Sequence, residues 1–111
     1  MEKTDRETTL AEVQSWVQKF CEDRNWDPYH GPKDLAIGLV TEASELLEIF
    51  RFVPESKLSQ LLESPEAREA IADELADSLY FILRFAQLYK FDLSKSLSAK
   101  MIKSGIKYPK P

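Results

Sequence analysis

The chain has 111 residues, 43% of them hydrophobic and 31% charged, with a formal net charge of −4. This length fits one domain spanning 1–111 with enough apolar residues for a core, and the acidic balance argues against a nucleic-acid polymer as partner, since duplex binders present a basic surface. A single cysteine, Cys21, excludes an internal disulfide and suits a reducing cytoplasm, while the charged opening Met1–Arg6 leads into no apolar stretch, so neither a signal peptide nor a membrane span is expected.

Period-two alternation is absent, and four principal helices with no strand are expected. The first covers Thr8 to Asp23, where Leu10, Val13, Trp16, Val17, Phe20 and Cys21 recur at helical spacing. A breaker-rich loop follows, Asn25-Trp26-Asp27-Pro28-Tyr29-His30-Gly31-Pro32-Lys33. Asp34 then reads as the N-cap of a second helix, Leu35 to Phe52, closed by Pro54. Residues 53–64 form a connector with a short helical turn around Leu58, Leu61 and Leu62. Ser64-Pro65-Glu66 carries a cap, a first-turn proline and an acid that complements the positive helix end, so a third helix starts there and runs to Tyr89. The fourth begins near Asp92 and stops before Gly105, leaving an irregular tail, Ile106 to Pro111.

A helix advances about 100° per residue. On the second helix Leu35, Leu39, Ala43, Leu46, Leu47 and Phe50 define an apolar face, with Glu42 at its edge and Glu45 one turn on. On the third, Ile71, Leu75, Leu79, Ile82 and Ala86 form the expected core stripe. Glu74 projects between Phe81 and Phe85, and Asp77 lies nearer the polar side with Arg84. Like charges three apart on a helix repel, and a carboxylate at the rim of a core is costly unless something neutralises it. One such pair is usually solvated surface. Two, both edging the core of successive long helices, point to a hard divalent cation with oxygen ligands.

Leu39-Val40-Thr41-Glu42-Ala43-Ser44-Glu45-Leu46-Leu47-Glu48-Ile49-Phe50 resembles the first acidic block of the MazG-like, all-α NTP pyrophosphohydrolases, and Asp73-Glu74-Leu75-Ala76-Asp77-Ser78-Leu79-Tyr80 resembles the second. Lys100-Met101 to Lys107-Tyr108-Pro109 is similar to the family's terminal segment, and the 25–34 loop looks like the run that precedes the first block in the dCTP pyrophosphatase subgroup. Each motif is weak alone; four in order at matching spacing are specific.

The resemblance implies a four-helix-bundle-like, oligomeric fold, a homotetramer or, failing that, a dimer. It also implies hydrolysis of a nucleoside triphosphate, dCTP or a related pyrimidine deoxynucleotide, to the monophosphate and pyrophosphate. Glu42, Glu45, Glu74 and Asp77 would hold Mg2+, with Mn2+ as a substitute, and either Glu42 or Glu45 would orient or deprotonate the attacking water. Trp26, His30, Phe52, Lys33, Lys100, Ser104, Lys107 and Tyr108 would contact the substrate. Phe52, Lys33, Ile102 and Ser104 depart from the subgroup, which has tryptophan, arginine, an acid and asparagine there. These departures bear on base preference and leave the four acidic positions intact. The rival readings are a dUTP- or phosphoribosyl-ATP-type pyrophosphohydrolase and a non-catalytic helical interaction or antitoxin-like module. A carboxylate-bridged di-iron bundle fits poorly, because such sites carry Glu-x-x-His pairs and the only histidine is His30.

Overall fold

A computed structural model describes residues 3–111; Met1 and Glu2, which open the charged N-terminal stretch, lie outside the described residues. Among those described, every regular element is helical. They are α1 (Leu10–Asp23), α2 (Pro32–Phe50), the short α3 (Leu58–Glu63), α4 (Pro65–Tyr89) and α5 (Leu93–Lys107), with 3-10 turns at Asp27–Tyr29 and Glu55–Lys57.

Side-chain caps build the starts of α4 and α5, Ser64 as expected and Asp92 at the point expected for the fourth helix to begin. The Ser64 hydroxyl accepts from the Ala67 N–H at the head of α4, and the Asp92 carboxylate accepts from the Lys95 N–H at the head of α5. Four boundaries differ. The first helix starts at Leu10 behind the N-cap Thr9, later than the expected Thr8, and the second ends at Phe50, short of the expected Phe52. The second helix begins earlier, with Gly31 as N-cap and Pro32 and Lys33 already helical, so Asp34 sits in the first turn instead of capping it. Proline's fixed φ suits a first helical position, where its missing N–H costs nothing. The fourth helix runs through Gly105 to Lys107; one glycine costs a helix only about 1 kcal/mol, too little to end it.

Helix α1 closes in a Schellman motif. Asn25 takes the left-handed conformation (φ 57°), its N–H bonds Glu22 O, and the Trp26 N–H reaches back to Cys21 O at 3.0 Å. The apolar contact that accompanies such ends is Trp26 edge-on to Phe20, with centroids 5.7 Å apart. This termination determines where the loop aromatics point.

Helix α4 is the hub, packing on α2 along most of its length and on α1 and α3. The contact with α2 is set by Gly38. A Cβ there would lie 2.3 Å from the Phe81 ring, so only glycine lets that ring seat against α2. The face turned to α2 is therefore centred on Glu74, Ser78, Phe81 and Phe85. The expected core stripe is shifted from this: Ala86 is buried, but Leu75 is 54% exposed, and Leu79 and Ile82 are also open. Helix α4 is apolar over a wide arc, and periodicity alone does not choose which part of the arc a neighbour covers. Arg84, placed on the polar side by the helical wheel, has no exposed surface at all.

Helix α5 does not join α1, α2 and α4 in a closed bundle. Its contacts with the other elements are sparse, and Leu97, Met101, Ile102 and Ile106 are exposed. The Cα radius of gyration, 16.7 Å, exceeds the about 13 Å of a compact domain this long. No helix among the described residues is long and apolar enough to cross a membrane.

Candidate active site

Where α2 crosses α4, Glu42, Glu45 and Glu74 converge, and one carboxylate oxygen from each lies within 4.8 Å of the others. Glu42 and Glu74 are half-buried and Glu45 is exposed. The i,i+3 step on α2 brings Glu42 and Glu45 to one side, and the close approach at Gly38 brings Glu74 across to them.

The electrostatics are strained. Glu42 Oε2 and Glu74 Oε2 are buried without a hydrogen-bond partner, as is Ser78 Oγ one turn below Glu74. Desolvation, contacts with Glu45 and Glu74, and the charges of Glu45 and Asp77 push the Glu42 carboxyl up to about 7. Glu74 is raised as well, first by desolvation and then by Glu45. Carboxylates gathered with their oxygens unsatisfied must share a proton or bind a cation. The all-oxygen donor set, open to solvent at Glu45, fits a hard divalent ion of the magnesium kind.

Asp77 is exposed and stands just outside the three-carboxylate group; with Glu42 it walls an adjoining cavity of about 510 Å³. The other walls are Phe20, Trp26, Tyr29, His30, Tyr80 and Phe81. Acid groups thus meet a largely aromatic hollow large enough for a small planar ligand. The Trp26 and His30 rings are 6.0 Å apart, and Tyr80 stands edge-on to Phe81 at 5.1 Å. The Tyr80 hydroxyl meets Cys21 Sγ at 3.1 Å, and burial raises its pKa.

The 27–30 turn is held from α4. Arg84 Nε donates to His30 Nδ1 at 2.9 Å, Nη1 donates to Gln87 Oε1 at 2.7 Å, and Nη2 is bonded to Asp27 Oδ1. The Tyr89 hydroxyl donates to the His30 carbonyl at 2.8 Å.

The expected substrate residues divide. Trp26 and His30 line the cavity beside Glu42 and Asp77. Lys33 borders a separate depression with Ala36, Ile37, Val40 and Thr41. Phe52 is 81% exposed beyond the end of α2, its ring under the Arg51 guanidinium. Lys100, Ser104, Lys107 and Tyr108 stand on or just after α5, and Lys107 Nζ lies 5.3 Å from the centre of the Tyr108 ring. None of these six is among the residues lining the acidic cavity.

Sequence reasoning missed Arg84, Asp27, Phe20, Tyr29, Tyr80 and Phe81 as builders of the site. The aromatic residues carried a signal, since Tyr80 and Phe81 flank the second acidic block and Tyr29 adjoins His30.

No protein-family model matches the chain. It is 31% identical over 103 residues to the bovine (Bos taurus) dCTP pyrophosphatase 1 and 30% identical to the human (Homo sapiens) protein of that name, in each case over 93% of this chain. The chain spans 61% of the length of these curated relatives. Among solved structures, a pyrophosphatase from Archaeoglobus fulgidus superposes with a TM-score of 0.86 at 28% identity, covering 98% of this chain and all of the other. These likenesses, to dCTP pyrophosphatases in sequence and to a solved pyrophosphatase in fold, support the resemblance to the MazG-like NTP pyrophosphohydrolases.

Proposed function

We propose that this protein hydrolyses nucleoside triphosphates, pyrimidine deoxynucleotides such as dCTP foremost, to the monophosphate and pyrophosphate in a magnesium-dependent reaction that clears the nucleotide pool of the cytoplasm. One observation carries the reading: three carboxylates converge, two of them with a buried oxygen that has no partner, and one of these, Glu42, also lines an adjoining aromatic cavity together with Asp77. A nucleotide is the ligand that needs both halves, a cation for its phosphates and a stacking surface for its base.

Glu42, Glu45 and Glu74 would hold the ion, with Asp77 beside them on the cavity wall. When bound, magnesium (or manganese in its place) neutralises triphosphate charge and acts as a Lewis acid toward the phosphate being attacked. The chain's own residues bind and orient. Trp26 and Phe81 offer ring faces to the base, and His30 offers one ring nitrogen. Of Glu42 and Glu45, either of which the resemblance allows, Glu45 would orient the attacking water and take its proton, because it is the solvent-facing carboxylate. No protein nucleophile is required.

Homo-oligomerisation, as a tetramer or a dimer, is part of the proposal. The open stripes Leu75, Leu79 and Ile82 on α4 and Leu97, Met101 and Ile102 on α5 are apolar faces with no cover in a single chain. Association would give Phe52, Lys33, Lys100, Ser104, Lys107 and Tyr108 a route to the phosphates or base of a site in another copy.

The test is pyrophosphate release from each dNTP and NTP with magnesium, for wild type and Glu74→Gln. Metal-dependent turnover that favours pyrimidine deoxynucleotides and disappears in the variant is expected. A wild type that turns over no nucleotide would return the chain to a non-catalytic helical module. A preference for dUTP or a phosphoribosyl nucleotide would keep the chemistry and change the substrate.

A further inference from the structure

Arg84 is fully buried on α4, and its charge reaches solvent only through its partners. A guanidinium in that position is expensive unless its donors are satisfied, and this one has three partners, of which His30 lines the cavity. Nη2 pairs with the half-exposed Asp27 carboxylate, Nη1 bonds Gln87 one turn along α4, and Nε points at His30 Nδ1, 2.9 Å away.

The last contact determines the state of the imidazole. Arginine has donors and no acceptor, and it keeps its proton at any accessible pH. His30 Nδ1 can accept from it only if Nδ1 carries no proton of its own. A neutral ring with a bare Nδ1 holds its proton on Nε2. A cationic ring would set two N–H groups head to head and two positive charges side by side. Desolvation and the Arg84 charge both lower the His30 pKa, while Asp27 and Asp34 pull it the other way. The backbone of the same residue is tied by the Tyr89 hydroxyl, and its ring lines the cavity with Trp26, Glu42 and Asp77. The side-chain polar atom left for a ligand is Nε2–H.

We propose that Arg84 is a positioning residue that fixes His30 as a neutral hydrogen-bond donor, through Nε2–H, toward a nucleobase atom that accepts, a carbonyl oxygen or an unprotonated ring nitrogen. His30 on this assignment reads the base and takes no part in proton transfer. The identity of the ligand rests on the nucleotide reading above; the tautomer does not.

Because His30 is the only histidine, nitrogen-15 NMR of tag-free protein at neutral pH reports one imidazole. The expected spectrum of the ligand-free wild type shows a neutral ring protonated on Nε2. A ring protonated on Nδ1, or an even mixture of tautomers, would overturn the proposal whether or not the protein turns over any nucleotide. Arg84→Lys is the second arm, since lysine keeps the charge and loses the fork. In folded variant, the tautomer should become mixed, and KM for the preferred nucleotide should rise roughly five- to tenfold with kcat changed less than about twofold, the loss of one oriented hydrogen bond. A folded variant with an unchanged tautomer and unchanged KM would make Arg84 a structural residue only. If Arg84→Lys does not fold, the wild-type spectrum decides alone. Absent turnover with an Nε2–H ring would sink the enzymatic reading and leave the Arg84 assignment standing.

Discussion

The α2–α4 pair and α5 are made of comparable amphipathic sequence and end in opposite circumstances. Where α2 meets α4, Gly38 admits the Phe81 ring and three glutamates are drawn into one cluster. Along α5, Leu97, Met101, Ile102 and Ile106 face solvent, and the helix touches its neighbours only lightly. Helices α4 and α5 both start on a side-chain cap, so local helix formation does not separate the two regions. The difference is one of partners. An apolar stripe calls for burial without saying against what, and a functional cluster forms only where a specific close approach brings two stripes together. The acidic site is thus a property of the α2–α4 contact, and the α5 residues expected at the substrate join it only if another surface carries them there.

The comparison can be broken in several places. The largest effect is expected for Glu74→Gln, which removes one of the converging carboxylates while keeping its shape. Pyrophosphate release should fall by at least about 100-fold, because loss even of a residue that supports a metal ligand costs about 10–100-fold. Residual activity near wild type would take Glu74 out of the site. Next comes Gly38→Ala, whose added methyl collides with Phe81. Despite alanine's better helix propensity, overpacking should lower stability by about 1–3 kcal/mol in denaturant unfolding, with loss of activity as the ring moves. A stabilised variant would mean that the close approach is not what positions the site.

A third check uses pH. The Glu42 carboxyl stands at about 7 against an ordinary 4.5. A raised value means that the folded state holds this proton more tightly than the unfolded chain. Its contribution is therefore fully present below pH 4.5 and is lost as pH rises through about 7. Without divalent cation, Tm of the wild type should lose ground relative to Glu42→Gln across that window, and saturating magnesium should recover it at the upper end. Parallel Tm profiles for the two proteins would contradict the crowding of carboxylates described here. The smallest effect belongs to α5. Nothing lies within 4 Å of a Cβ built on Gly105, so Gly105→Ala should stabilise by about 0.5–1 kcal/mol. The opposite signs expected for the two glycines sharpen the contrast between the regions.

Much of the secondary structure was legible in the sequence because it is governed by local chemistry. Ser64 caps α4 as its hydroxyl and the following proline imply, α5 starts just after the expected Asp92, and three of the four expected acids, Glu42, Glu45 and Glu74, meet where the long helices cross. What was not legible depends on distant partners. The covered face of α4 is decided by Gly38, on another helix. Arg84 reads as solvent-facing from its polar neighbours, yet its partners His30 and Asp27 are 54 and 57 residues away. Gly105 looks like a stop signal, but the residues around it favour helix strongly enough to pass through one glycine. Trp26 and His30 were placed in the pocket by resemblance. The physical cause of their placement, the Schellman end of α1 and the Arg84 tie, lies in geometry that no single motif displays.

The central claim is that the carboxylates joined across α2 and α4 share a divalent cation with a nucleotide. Calorimetric titration of magnesium into protein preloaded with a non-hydrolysable dCTP analogue tests it most directly. Saturable binding in wild type, weakened at least about tenfold in Glu74→Gln, is the result expected. Equal affinity in the two proteins, or no magnesium-dependent heat in either, would contradict it.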